Sequence, residues 1–212
     1  ENTAFGFSAL ASNTTAGSNV AVGFASLDAN TTGELNSALG FNSLTNNTTG
    51  GSNTAFGRFA LAANTTASKN TTGTKNVALG TLALDANTTA NNNTALGYNS
   101  LSANTTSSNN TGVGSNSLTA NTTGTQNTAV GSLALTTNTT GGNNVAIGRE
   151  ALQENTTASD NTAVGFKALK ENTTGENNTA VGKNALINNT TSSNNVAVGI
   201  SAMENATNGA AN

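Results

Sequence analysis

A parallel β-solenoid of about twelve rungs is the fold class that the sequence predicts, on three observations. First, the string Asn-Thr-Ala-Val-Gly at Asn127 to Gly131 recurs in closely related form, with starts at Asn2, Asn19, Asn36, Asn53, Asn76, Asn93, Asn110, Asn127, Asn144, Asn161, Asn178 and Asn195. Ten intervals are 17 residues and one, from Asn53 to Asn76, is 23. Self-similarity at a fixed short period marks an architecture of stacked units. Second, apolar residues do not fall at the three-and-four spacing of a helix but in short β-type runs. Third, Gly and Asn, the residue types that tolerate positive φ, recur where a tightly wound coil must turn.

Numbering each unit 1 to 17 from its Asn, positions 1 to 4 alternate at period two and end at a Gly that is present in all twelve copies. Position 4 is always large and apolar, from Phe5 and Val22 to Val198, and position 9 is Leu until Met203 replaces it in the last unit. These two positions are the expected core, represented by Val22, Leu27, Val130, Leu135, Val164 and Leu169. Positions 7 to 10, centred on that Leu, read as a second short strand running into an Asn-Thr-Thr turn at positions 12 to 14. Gly23 and Gly131 at position 5, and Asn30 and Asn138 at position 12, are the expected corners. The stacked Asn side chains should also form an amide ladder, as identical side chains do in stacked parallel strands. The 23-residue interval carries a near-copy of its own end, Asn64 to Lys69 followed by Asn70 to Lys75. A six-residue insertion near 70–75 is therefore expected in a protruding loop. The last unit, 195–212, is degenerate, with Ala206-Thr207-Asn208 in place of Asn-Thr-Thr. The whole of 1–212 reads as a single array, about 58 Å long at roughly 4.8 Å per rung.

Composition narrows function. The chain has no His and no Cys among its 212 residues, so the usual ligands for zinc, haem and iron–sulfur clusters are missing, together with thiol nucleophiles and imidazole bases. The acids, among them Asp28, Asp85, Glu154 and Glu171, sit in variable turn positions and form no recurring acid/base pair. An enzyme is not expected, and neither catalytic residues, nor a metal, nor any other cofactor. With 8% charged residues and a net charge of −3 there is no basic footprint for nucleic acid, and no apolar run inserts this segment in a membrane. The absence of Cys leaves the redox compartment open.

Two large apolar side chains per 17-residue rung make a thin core. Positions 3 and 8, Ala or Ser in nearly every unit, are expected to point away from it, as a face that a second backbone can approach closely. Self-association into a homo-oligomer or an end-to-end filament follows, and homo-oligomers are usually cyclic. Phe7, Phe24 and Phe41 at position 6 of the first three units would stack into an aromatic strip. That strip reads as an oligomer seam or a contact to a neighbouring domain, or alternatively as a ligand-binding patch. Asn-Thr-Thr is also a glycosylation sequon. Sugars on successive rungs would crowd each other, and Asn70, in the inserted loop, is the best candidate.

The strings Asn-Val-Ala-Val-Gly (Asn19 to Gly23, Asn195 to Gly199) and Asn-Val-Ala-Ile-Gly (Asn144 to Gly148), each with a small residue three positions after the Gly, resemble the head repeats of trimeric autotransporter adhesins. Similar strings occur in phage tail fibres and long bacterial surface proteins. The resemblance runs from Asn2 to about Met203 and implies a left-handed β-roll, three chains about one axis, and an extracellular, cell-surface or virion fibre with adhesive contacts to a host receptor or matrix. The rung here is longer than in that family, with Asn-Thr-Thr as the apparent addition. The alternative is an ice-binding protein built on Thr and Asn ladders; adjacent Thr at positions 13 and 14 would face opposite sides of a strand, which counts against it.

Overall fold

A computed structural model describes residues 1–62 and 72–205. Among the described residues the chain is an all-β parallel solenoid of about twelve rungs, with twelve short strands, and it divides into two compact units, Glu1–Asn109 and Asn110–Asn212. In the first unit β1 (Thr3–Phe5), β2 (Val20–Val22), β3 (Ser37–Leu39), β4 (Thr54–Phe56), β5 (Val77–Leu79) and β6 (Thr94–Leu96) lie side by side in chain order. The second unit repeats the arrangement with β7 (Thr111–Val113), β8 (Thr128–Val130), β9 (Val145–Ile147), β10 (Thr162–Val164), β11 (Thr179–Val181) and β12 (Val196–Val198). Within each unit neighbouring strands are parallel and pair equal positions, as in Thr128↔Val145, Ala129↔Ala146 and Val130↔Ile147.

Positions 7 to 10 are not a second strand. Positions 7, 9 and 17 adopt left-handed φ, for example Leu133 at 62°, Leu135 at 50° and Gln126 at 60°. The chain therefore coils through two tight turns, in which the Ala134 N–H donates to the Gly131 carbonyl and the Asn138 N–H to that of Leu135, both at 3.3 Å. A non-glycine residue in this region costs roughly 1–2 kcal/mol. The conformation persists because it turns successive N–H groups toward opposite neighbours: Leu133 donates back to Ser115 and Leu135 forward to Ala151, each at 3.1 Å. Asn30 and Asn138 are not among the positive-φ residues, so position 12 is not the corner that the sequence suggested. Gly23 and Gly131 are corners, at φ 132° and 138°. A Cβ on Gly131 would sit 2.5 Å from the carbonyl oxygen of Gly148, so the column of stacked glycines has no room for one.

The core also differs from the expectation at one of its two positions. Leu27, Leu135 and Leu169 are fully buried, but Val22, Val130 and Val164 are half-exposed. Larger members of the same column are more open still, with Leu39 at 49% exposure and Ile147 at 41%. Position 3 points inward instead: Ala21, Ala129 and Ala163 are fully buried, as are Ala134 and Ser26 at position 8. Strand alternation explains the pattern, since positions 1 and 3 must share one face and positions 2 and 4 the other. The inward face is chosen by Asn at position 1, which finds its hydrogen-bond partners only inside.

The insertion falls earlier than 70–75. Thr72 N–H donates to the Thr88 carbonyl (2.8 Å), Gly73 carbonyl accepts the Asn53 side-chain amide (2.8 Å) and Lys75 N–H donates to Gly51 (3.1 Å). Residues 72–75 thus hold the ordinary positions 14 to 17, and the six additional residues fall between Ala62 and Thr72. Asn70 lies outside the described residues, as do 206–212 of the degenerate last unit.

Candidate functional site

Two columns of buried Asn run through the interior, where the sequence suggested one. At position 12, Asn47 donates its amide to Asn30 Oδ1 (2.8 Å), and in the second unit Asn138 donates to Asn121 Oδ1 and Asn155 to Asn138 Oδ1, both at 2.9 Å. At position 1 the side-chain oxygen accepts a backbone N–H of the next rung, as Asn127 Oδ1 does from Asn144 N–H (3.0 Å). Both columns converge on position 15, where the Gly141 carbonyl accepts Asn138 Nδ2 at 3.0 Å and Asn127 Nδ2 at 2.8 Å. Most of the polar groups brought inside are thereby answered by another, the condition for a polar interior to be stable, with the side-chain oxygens of Asn47, Asn87 and Asn189 in the position 12 column as exceptions. Asn189 is the end of one column. Its Oδ1 is buried without a partner, and the following unit carries Ala206 in place of Asn. Asn30 and Asn138 have no exposed surface, so the folded chain cannot carry a sugar on either. The second column was legible in principle, because Asn occupies position 1 in all twelve units.

Outward, positions 2 and 4 present two parallel columns along the sheet of each unit. In the first unit position 4 carries Phe5, Val22, Leu39, Phe56, Leu79 and Leu96; in the second it carries only Val and Ile. Neither column contains a charged residue in any of the twelve rungs.

Beside them, at position 6, Phe7, Phe24 and Phe41 are stacked, with ring centroids 5.4 and 5.2 Å apart and planes within 13° of parallel. The sequence did not show how the strip ends. Phe59 of the fourth rung meets Phe41 edge-on at 5.6 Å, and the Arg58 guanidinium lies 4.4 Å from the Phe59 centroid and 5.9 Å from that of Phe41. Offset stacking and a cation over a ring are each favourable arrangements. Stacking ring on ring consumes the faces that a flat ligand would use, so the strip offers mainly ring edges to a partner.

Position 13 hydroxyls are used within the fold: Thr122 donates to the Thr139 carbonyl and Thr139 to that of Thr156, both at 3.0 Å. Position 14 hydroxyls, such as those of Thr140 and Thr157, are exposed. The adjacent Thr pair therefore does not form one flat hydroxyl array.

Among the described residues the charged groups fall into a few ion pairs and isolated turn positions. Glu150 is buried between Arg149 (2.7 Å) and Lys167 (3.6 Å), an ion-paired link between the ninth and tenth rungs. Lys170 pairs with Glu171 at 2.5 Å, and that hydrogen bond holds its ammonium above the usual lysine range. Asp85, half-buried at a turn, has its carboxyl pushed up to about 6 by desolvation. The folded chain then binds a proton more tightly than the unfolded one between the ordinary carboxylate value and about 6. Stability should rise as pH falls through that window and decline again as pH rises through 6. Asp85→Asn is expected to remove that component: in chemical denaturation at pH 4, 5, 6 and 7, the difference between wild type and variant should grow with pH. A pH-independent difference would show that Asp85 is not desolvated.

Among the described residues no cluster of His, Cys, Asp and Glu could hold a metal ion, and no helix is long and apolar enough to cross a membrane. Comparison with protein-family models, with curated proteins and with solved structures found no match.

Proposed function

We propose that this chain is a segment of an extracellular structural fibre, a β-solenoid spacer or adhesive head whose copies associate side by side. One observation carries the reading: the outward columns at positions 2 and 4 leave large apolar side chains exposed, with no charge in twelve successive rungs. An apolar column at position 4 along each unit, flanked by uncharged Thr, Val and Ser at position 2, marks an interaction face. A second copy of the chain suits it best, because only a partner with the same rung spacing keeps its side chains in step along the columns. The seam thus lies at positions 2 and 4; positions 3 and 8, first suggested by their small side chains, are inside the chain. The adhesin-head resemblance suggests three copies, a surface or virion location, and contact with a host receptor or matrix, and it gives no reason to expect catalysis.

Sedimentation tests the reading. The wild-type chain at micromolar concentration should run at a multiple of 20.8 kDa. Leu39→Glu combined with Leu79→Glu, on the outward column, should reduce it to a single chain with an unchanged β-type circular-dichroism spectrum. A wild-type protein that sediments as one chain would overturn the proposal. Thermal hysteresis in that monomer would favour the ice-binding alternative.

A further inference from the structure

Where this chain can carry N-linked sugar is a matter of direction, and the fold sorts its sequons accordingly. Transfer needs the Asn amide and the hydroxyl two residues later together at the surface, because the sequon is recognised through both. In the repeat's own Asn-Thr-Thr the two part company. The position 12 Asn points inward and the position 14 Thr outward, as at Asn172 and Thr174. Asn172 has no exposed surface, and its amide is taken by Asn155 Oδ1 at 3.0 Å and by the Gly175 carbonyl at 2.9 Å.

A second kind of sequon begins at position 17, where the next unit supplies Asn at position 1 and Thr at position 2. Asn92-Asn93-Thr94 lies in the first unit and Asn177-Asn178-Thr179 in the second, while Asn109-Asn110-Thr111 spans their division. Position 17 is a left-handed turn, with φ 58° at Asn92 and 57° at Asn177, and both side chains are exposed. Among the described residues neither side-chain amide has a hydrogen-bond partner. The intervening Asn93 and Asn178 are fully buried members of the inner column, so Thr94 and Thr179 turn back out beside the exposed amide. One side of the turn therefore holds both groups. Asn143 and Asn194 occupy the same turn, also exposed, at φ 57° and 62°, but Val145 and Val196 stand where the hydroxyl is required.

We propose that Asn92 and Asn177 are N-glycosylation acceptors of the folded chain, and that the Asn-Thr-Thr sequons of its rungs are not. The side-chain nitrogen bonds to the anomeric carbon of a sugar activated as a nucleoside or lipid diphosphate. The sugar–phosphate bond breaks with its electron pair leaving on the diphosphate, and the amide proton passes to the transferase. Position 17 precedes the strand, so such a sugar stands at one margin of the outward face, on a single chain as on an assembled one. The test uses UDP-glucose and a soluble N-glycosyltransferase chosen to modify free peptides of residues 135–143 and 174–182 equally, so that any selectivity on the protein comes from the fold. Peptide mass spectrometry of the folded chain should find a hexose on Asn92 and Asn177 and none on Asn138, Asn172, Asn143 or Asn194. Thr179→Val should lose the hexose on Asn177 alone, and Val145→Thr should gain one on Asn143, each with an unchanged circular-dichroism spectrum. A folded chain modified at Asn138 or Asn172 would overturn the proposal, as would one left bare at Asn177 or a Val145→Thr variant left bare at Asn143. Sedimentation of the same samples judges side-by-side association separately.

Discussion

Ala129→Phe is expected to destabilise the chain by about 3 kcal/mol or more, the upper range for forcing a large side chain into a packed interior. Val130→Phe, one residue further on, should destabilise the folded chain far less, because the added ring points outward. The contrast follows from alternation. Ala129 is fully buried on the inward face of β8, directly paired with the equally buried Ala146, whereas Val130 points outward and is half-exposed. The outward column already accommodates Phe5 and Phe56 in other rungs. The position 3 column carries nothing larger than Ala, and at Gly112 it carries less. Urea unfolding of the two variants, with the slope m checked for constancy, measures both values. The reverse order would mean that position 4 is the core and position 3 the outer face.

Asn138→Ala should cost nearly as much, although it removes only one polar side chain. The substitution leaves Asn121 Oδ1 without the amide that it accepts and Asn155 Nδ2 without the oxygen that it bonds. Two buried groups lose a partner at about 1–3 kcal/mol each, so a total near 3–4 kcal/mol is expected. Asn138→Asp should be worse than Ala, because a carboxylate would face the Asn121 oxygen as a second acceptor and bury an unpaired charge. Thr140→Ala, at an exposed position of the same rung, is the control and should lie within about 0.5 kcal/mol of wild type. If Asn138→Ala unfolded at the same urea concentration as the Thr140 variant, the amide column would be a bystander to stability.

The inward and outward faces were recoverable from residue sizes, had these been weighed in place of hydropathy. Position 4 ranges from Val22 to Phe5 and Phe56, a spread in volume that a close-packed interior does not accept. Position 3 holds Ala in every unit but one, and position 1 holds Asn in all, which is the uniformity of a crowded and hydrogen-bonded interior. The usual rule that large apolar residues go inside fails here because the cavity of a 17-residue coil is narrow. One Leu per rung and two columns of Asn fill it. The outward Val, Leu and Phe are left on the outer surface. The aromatic strip could be located from position 6, yet its closure by Arg58 and Phe59 depends on adjacent side chains in one rung reaching back over the rung before.

Sequence by itself determined the quantities that periodicity carries: an all-β parallel solenoid, twelve rungs, the unit of 17 residues, the Gly corner and the Leu of the core. Each follows from repetition, because equal positions in a stacked coil must meet equal positions. Only the tertiary structure decided what depends on direction. A left-handed φ at Leu135 replaces the expected second strand by a pair of turns, and the orientation of a three-residue strand sends Ala129 inside and Val130 out. Those choices are made by where buried amides such as Asn127 and Asn138 find their partners, on the carbonyl of Gly141 and on the rungs to either side. A linear pattern records which residues recur; it does not record which way they face.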